Sequence, residues 1–146
     1  MNTQGMNRLI WAGAAALALV IGGCAGMESG GGGGVKVKLS GAEENPPVTT
    51  SASGAGTITV GADKSISGSV TTTGVAGLAA HIHTGARGKN GPVSIPLVKT
   101  SDNVWSVKAG TTLTDAQYAS YKAGDFYVNV HSAANKGGEI RGQIQP

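Results

Sequence analysis

The stretch "VKVKLS" (residues 35–40) alternates without a break, with Val35, Val37 and Leu39 on one side and Lys36 and Lys38 on the other. Successive side chains of a pleated strand point to opposite faces, so a period of two predicts a strand with one buried face. The pattern returns along the chain. "GTITVGADKSISGSV" predicts a hairpin, with Ile58 and Val60 directed inward, Ala62 to Lys64 turning, and Ile66 and Val70 on the return. "LAAHIH", "VSIPLV", "NVWSVK", "DFYVNVH" and "GEIRGQIQ" each predict a further strand. Pro96 inside "VSIPLV" marks an edge or a bulge, because it cannot donate to a ladder. Seven or eight short strands at this spacing predict an all-β fold, an antiparallel Greek-key sandwich or barrel.

One segment departs from the pattern. In "LTDAQYASYKAGD", Thr114 and Gln117 fit a capping box and Leu113 with Tyr118 fits the accompanying hydrophobic staple. Asp115 suits a helix N-terminus and Gly124 a C-terminal stop. A short helix over residues 115–122 is predicted, plugging one end of the barrel and burying Tyr118 and Tyr121.

Upstream of Val35 the chain reads differently. A start bearing one charge, Arg8, leads into the uncharged run Leu9 to Gly23, which falls short of the roughly 20 residues that span a bilayer. "VIGGC" resembles the bacterial lipobox, which implies a signal peptide over residues 1–23, cleavage before Cys24 and lipid on its sulfur. Cys24 is the only cysteine, so no internal disulfide can form, and lipidation accounts for a lone thiol in an exported chain. Residues 24–34 then form a glycine-rich tether of roughly 17–19 Å. Together these predict a cell-envelope protein held to the membrane by its lipid, with outer-membrane sorting in a diderm because Ala25 follows the cysteine. The remaining domain, residues 35–146, carries ten Lys/Arg against seven Asp/Glu, scattered and without interleaved aromatics. Nucleic acid is therefore a poor partner.

The chain has three histidines. His81 and His83 lie two apart on one strand face, with Cα atoms about 6.5 Å apart. His131 falls opposite Phe126, Val128 and Val130, in line with Tyr127 and Asn129. All three adjoin the loops "TGARGKNGP" and "SAANKGG", the places where functional groups tend to sit on a rigid scaffold. Neutral imidazoles suit copper, zinc, iron or nickel, which makes a three-histidine metal site one reading. Imidazoles bonded to loop carbonyls at the barrel end are the other. Acid–base catalysis lacks companions, since there is no G-x-S-x-G elbow and no Asp pair beside a histidine.

Two further groups of residues stand out. "GAEENPPV" places Glu43 or Glu44 on a proline-stiffened loop able to swing over the barrel end, as a fourth ligand or a partner to a histidine. In "GGEIRGQIQ", Glu139, Arg141 and Gln143 share one face and Ile140 and Ile144 the other. That face reads as solvated or as a structural ion pair, or else Arg141 draws an anion to a nearby site.

"LSGAEENPPV", "AHIHTGARGKNGPV" and "LT…YASYKAGDFYVNVHSAANKGGEIRGQI", in this order, resemble the CHRD domain, named after chordin. The resemblance covers nearly all of residues 35–146 and implies a β-rich extracellular domain. Chordin's partner is a secreted growth factor, and many exported bacterial proteins carry the domain. A fainter similarity is to the Cu/Zn superoxide dismutases, through "HIH", "NVH" and "RGQI" in the same order. It implies copper ligands at His81, His83 and His131, with zinc the alternative metal, and an anion-guiding Arg141. The bridging histidine, zinc loop and disulfide of those enzymes have no counterpart here. The sequence thus points to a membrane-tethered binding module with a three-histidine copper-type site. The alternatives are an interaction domain for an envelope or extracellular protein or glycan, with structural histidines, and a superoxide-handling enzyme.

Overall fold

A computed structural model describes residues 33–146; the expected signal peptide, Cys24 and most of the expected tether lie outside the described residues. Eight strands form one closed antiparallel barrel: β1 (Val35–Ser40), β2 (Ser53–Val60), β3 (Ile66–Thr73), β4 (Gly77–Thr84), β5 (Val93–Ser101), β6 (Val104–Val107), β7 (Phe126–Ser132) and β8 (Ile140–Ile144). Their order around the wall is β1-β2-β3-β6-β5-β4-β7-β8. β3 pairs with β6 and β4 with β7, so two connections cross over while the rest are hairpins, the Greek-key arrangement that the spacing predicts. β8 returns to β1, with Ser40 opposite Arg141, and no strand is left as an edge.

Alternation decides what fills the barrel. Val37, Leu39, Ile58, Val60, Ile66, Val70, Ala80, Ile82, Ile95 and Leu97 are all buried in one core with Trp105, Phe126, Val128, Val130, Ile140 and Ile144. Glycine serves the close approaches: a Cβ on Gly56 would meet the Ser69 carbonyl at 2.0 Å, and one on Gly142 the Lys38 carbonyl at 2.3 Å. The β2–β3 turn closes with Lys64 at φ 66, and Asp63 Oδ1 accepts from the Ser65 amide at 3.0 Å. Pro96 lies opposite His81, next to the point where the β4–β5 register slips, so the bulge reading applies and the edge reading does not.

The helix α1 (Asp115–Lys122) sits in the β6–β7 crossover with the boundaries expected. Thr114 Oγ1 accepts from the Gln117 amide at 3.2 Å, and the Thr114 amide donates to Gln117 Oε1 at 2.9 Å. Gly124 follows at φ 77. Of the two helix tyrosines Tyr121 is buried, meeting Phe126 edge-on at 6.2 Å, while Tyr118 is only partly covered.

A three-histidine cluster on the outer wall

β4 and β7 are neighbours, with His81 opposite Asn129 and His83 opposite Tyr127. Ala80 and Ile82 take the inner face, so the rings of His81 and His83 stand on the outside of the wall. His131 joins them from β7, where Ala79 lies opposite it. The expected pairing of the three histidines holds, but the location differs. They cluster on the flank of the barrel and not at its end, because parity turns them away from the core while the "TGARGKNGP" and "SAANKGG" loops fold along the flank.

The three residues each offer a nitrogen within 4.8 Å of the others. His81 Nδ1 and His131 Nε2 are 3.1 Å apart. His83 Nδ1 lies 2.9 Å from the Gly91 carbonyl, and His131 Nδ1 lies 3.0 Å from the Lys136 carbonyl. A carbonyl only accepts, so both Nδ1 atoms carry the proton and both Nε2 atoms present lone pairs. His83 is buried and its Nε2 has no partner. Burial, followed by the nearby His131 and His83, pushes the His81 pKa below its ordinary value. Burial also lowers that of His83, with His131 and Arg141 contributing and the Gly91 carbonyl opposing. These two rings therefore stay neutral, with lone pairs available, at neutral pH.

Such a set fits a metal. Two nitrogens bound to one ion at about 2.0–2.1 Å lie no more than about 4 Å apart, so only a small contraction is required. A ring N–H held by a carbonyl is the usual support behind a ligating imidazole, because it fixes both tautomer and orientation. An orphaned, buried Nε2 costs free energy unless something occupies it.

The other sequence candidates divide. Glu43 is half-exposed and its Oε2 accepts from Arg87 at 2.6 Å. Glu44 is buried and accepts from Asn129 Nδ2 at 2.7 Å. It lines a polar pocket of about 440 Å³ with Asn45, Asn90, Asn135 and Lys136. Burial pushes the Glu44 carboxyl up to about 7, against the Asn129 hydrogen bond and the Arg141 charge. Neither glutamate belongs to the group of converging nitrogens.

The β8 face is the clearest correction. Glu139, Arg141 and Gln143 are all buried, and Glu139 makes no ion pair with Arg141. Thr50 Oγ1 donates to Glu139 Oε1 at 2.9 Å, and the Ser132 hydroxyl, with Thr50 and Asn135, holds that carboxyl below its ordinary range. Arg141 is 1 % exposed. Its guanidinium donates to the carbonyls of Ala86 and Lys89 at 3.3 and 2.7 Å and to Asn90 Oδ1 at 3.3 Å, and it lies 3.4 Å from the Tyr127 ring centre. Gln143 Nε2 donates to the Gly85 and Gly124 carbonyls at 2.9 and 2.8 Å. Loop carbonyls accept from Arg141 and Gln143, side-chain donors serve Glu139, and Arg141 acts as a loop clamp.

The clamp reaches the histidines. Tyr127 stacks on His83 with ring centres 4.9 Å apart and planes at 10°. The Gly91 amide donates to the Tyr127 hydroxyl at 3.1 Å, while the Gly91 carbonyl holds His83. A Cβ on Gly91 would fall 1.7 Å from the Thr84 carbonyl, so glycine is required for the loop to pass this close. Sequence reasoning placed Tyr127 and Asn129 in line with His131 but gave neither a role; it missed Gly91, whose only signal is its position in the glycine-bearing loop after His83.

Residues 35–144 match the CHRD domain family model. No curated protein and no solved structure matches the chain.

Proposed function

We propose, for a chain that belongs to the CHRD domain family, that the barrel is a binding module holding one copper-type ion on His81, His83 and His131, with zinc the alternative. The observation that carries the reading is convergence. Three ring nitrogens face one another, two imidazoles are locked by backbone carbonyls, and one buried Nε2 lacks a partner. When bound, the ion supplies a Lewis-acidic or redox-capable centre; the chain's part is to present neutral lone pairs in a fixed tautomer. Arg141 is enclosed by loop carbonyls, which argues against an anion-guiding role and removes one support for a superoxide-handling enzyme. Metal analysis of the purified protein after copper loading and dialysis tests the reading. One copper per chain is expected, lost in His131→Ala; no retained copper or zinc at neutral pH would refute it.

The second reading, an interaction domain for an envelope protein or glycan, draws on the His81–His131 contact, which links the two rings without an ion. It predicts that histidine substitutions lower the melting temperature with no metal bound in any variant. The proposed setting is the cell envelope, with the domain held by lipid on Cys24. Cys24→Ser should abolish incorporation of labelled fatty acid, and a label that persists would refute that anchor.

A further inference from the structure

We infer that this site is biased toward monovalent copper and that Arg141, acting through the Tyr127–His83 stack, is the positioning residue that sets the bias; the inference rests on the copper reading of the three histidines. The donors are three imidazoles, ligands that bring no negative charge to an ion, and the carboxylates that could have offset an ion's charge are engaged elsewhere. Glu43 is on Arg87, Glu44 on Asn129 and Glu139 on Thr50. A divalent ion would therefore keep its full charge in the site.

Against that site stands a fixed cation. Arg141 hydrogen-bonds only to neutral acceptors, the Ala86 and Lys89 carbonyls and Asn90 Oδ1, and forms no salt bridge among the described residues. Its guanidinium carbon lies 3.4 Å from the Tyr127 ring centre, which is 4.9 Å from the His83 ring centre. The charge is thus no more than about 8 Å from an imidazole that binds the ion. Glu44 feels the Arg141 charge, but burial raises that carboxyl to about 7, so at neutral pH it offsets only part of the charge. Each added unit of positive charge on the ion is opposed by Arg141, and Cu²⁺ meets that opposition twice where Cu⁺ meets it once. For charges at such a distance in partly screened surroundings the difference is about tenfold in relative affinity. Coordination number acts in the same direction. Three nitrogens complete a trigonal Cu⁺ site, whereas Cu²⁺ favours tetragonal sets with a fourth donor.

Arg141 also holds the loop whose Gly91 carbonyl orients His83, so charge and positioning must be separated. Arg141→Lys retains the charge with a poorer clamp, and Arg141→Gln loses the charge but retains a donor for the Lys89 carbonyl. The affinities of the metal-free full chain for Cu⁺ and Cu²⁺ are measured separately. Cu⁺ is titrated anaerobically in competition with bathocuproine disulfonate, and Cu²⁺ in competition with glycine at the same pH. The inference expects wild type to hold Cu⁺ more tightly than Cu²⁺. It expects Arg141→Gln to narrow that ratio about tenfold, a fall of about 59 mV in the one-electron potential, and Arg141→Lys to preserve it. A ratio unmoved in Arg141→Gln, or moved equally in both variants, overturns the role of the charge. Should neither variant fold, wild type decides alone, and tighter Cu²⁺ than Cu⁺ binding overturns the inference. Failure of wild type to bind either ion defeats the copper reading itself, whereas binding with an unmoved ratio defeats only this inference.

Discussion

Glu44 gives a quantitative test of the polar cluster beside the histidines. Its carboxyl titrates at about 7, against an ordinary 4.5, because burial penalises the charged form. Between those two values the folded chain binds more protons at this residue than the unfolded chain does. Its contribution to stability is therefore complete below pH 4.5 and lost as the pH rises to about 7. The full displacement corresponds to a ceiling of about 3 kcal/mol. The polar pocket lined by Asn45, Asn90 and Lys136 leaves the carboxylate open to screening, which reduces the expected loss to about 1–2 kcal/mol. Glu44→Gln removes the charge, and its amide oxygen can still accept from Asn129. Its nitrogen can also serve Asn129 Oδ1, which is buried without a partner.

Glu44→Gln and wild type should therefore melt together at pH 4.5 and diverge at pH 8, where the variant should be more stable by about 1–2 kcal/mol, or several degrees. The difference between the two proteins is the quantity to follow, since other groups titrate too. The lowered His81 and His83 values make the folded chain the poorer proton binder, so they add stability as the pH rises toward 6.5 and mask Glu44 in wild type alone. Scanning calorimetry across this range provides the readout. A variant less stable than wild type at pH 8, or a difference that does not change with pH, would refute the reasoning.

Three other perturbations test the scaffold. Phe126→Ala empties a fully buried position beside Tyr121 and should cost about 3–5 kcal/mol, read as a drop in the urea midpoint with unchanged m-value. Thr114→Ala removes one half of the capping box and should cost about 1 kcal/mol, with Thr114→Ser retaining most of it in the same assay. Gly142→Ala drives a Cβ against the Lys38 carbonyl where β8 meets β1, and should cost about 1–3 kcal/mol or more. A neutral effect there would mean that the seam is looser than the geometry requires.

The fold was largely legible because it is written in periodicity. Val35 to Leu39, Ile58 with Val60, and Phe126 to Val130 declare their inner faces by alternation alone, and Thr114 with Gln117 declares the helix. The same rule placed His81 and His83 together, away from Ile82. It failed at Arg141 for a physical reason. Alternation separates two faces but says nothing of what covers the outer one, and the polar side of β8 is roofed by the loop through Ala86, Lys89 and Asn90. A long-range contact of that kind leaves no local trace in the sequence. The location on the flank was missed for a related reason, since strand-end positions say which loop is near but not whether it folds over the mouth or along the wall.

The closure of β1 onto β8 has a practical consequence. With Ser40 opposite Arg141 in an antiparallel pair, continuing the register brings Ile144 level with Val37. The two ends of the domain therefore leave the barrel side by side at one rim. A short glycine linker could join them, and new termini could be opened in an exposed turn such as that around Lys108 to Gly110, far along the chain from all three histidines. Circular permutation would then be tolerated, and the domain could be inserted into a surface loop of a host protein with its outer-wall cluster intact.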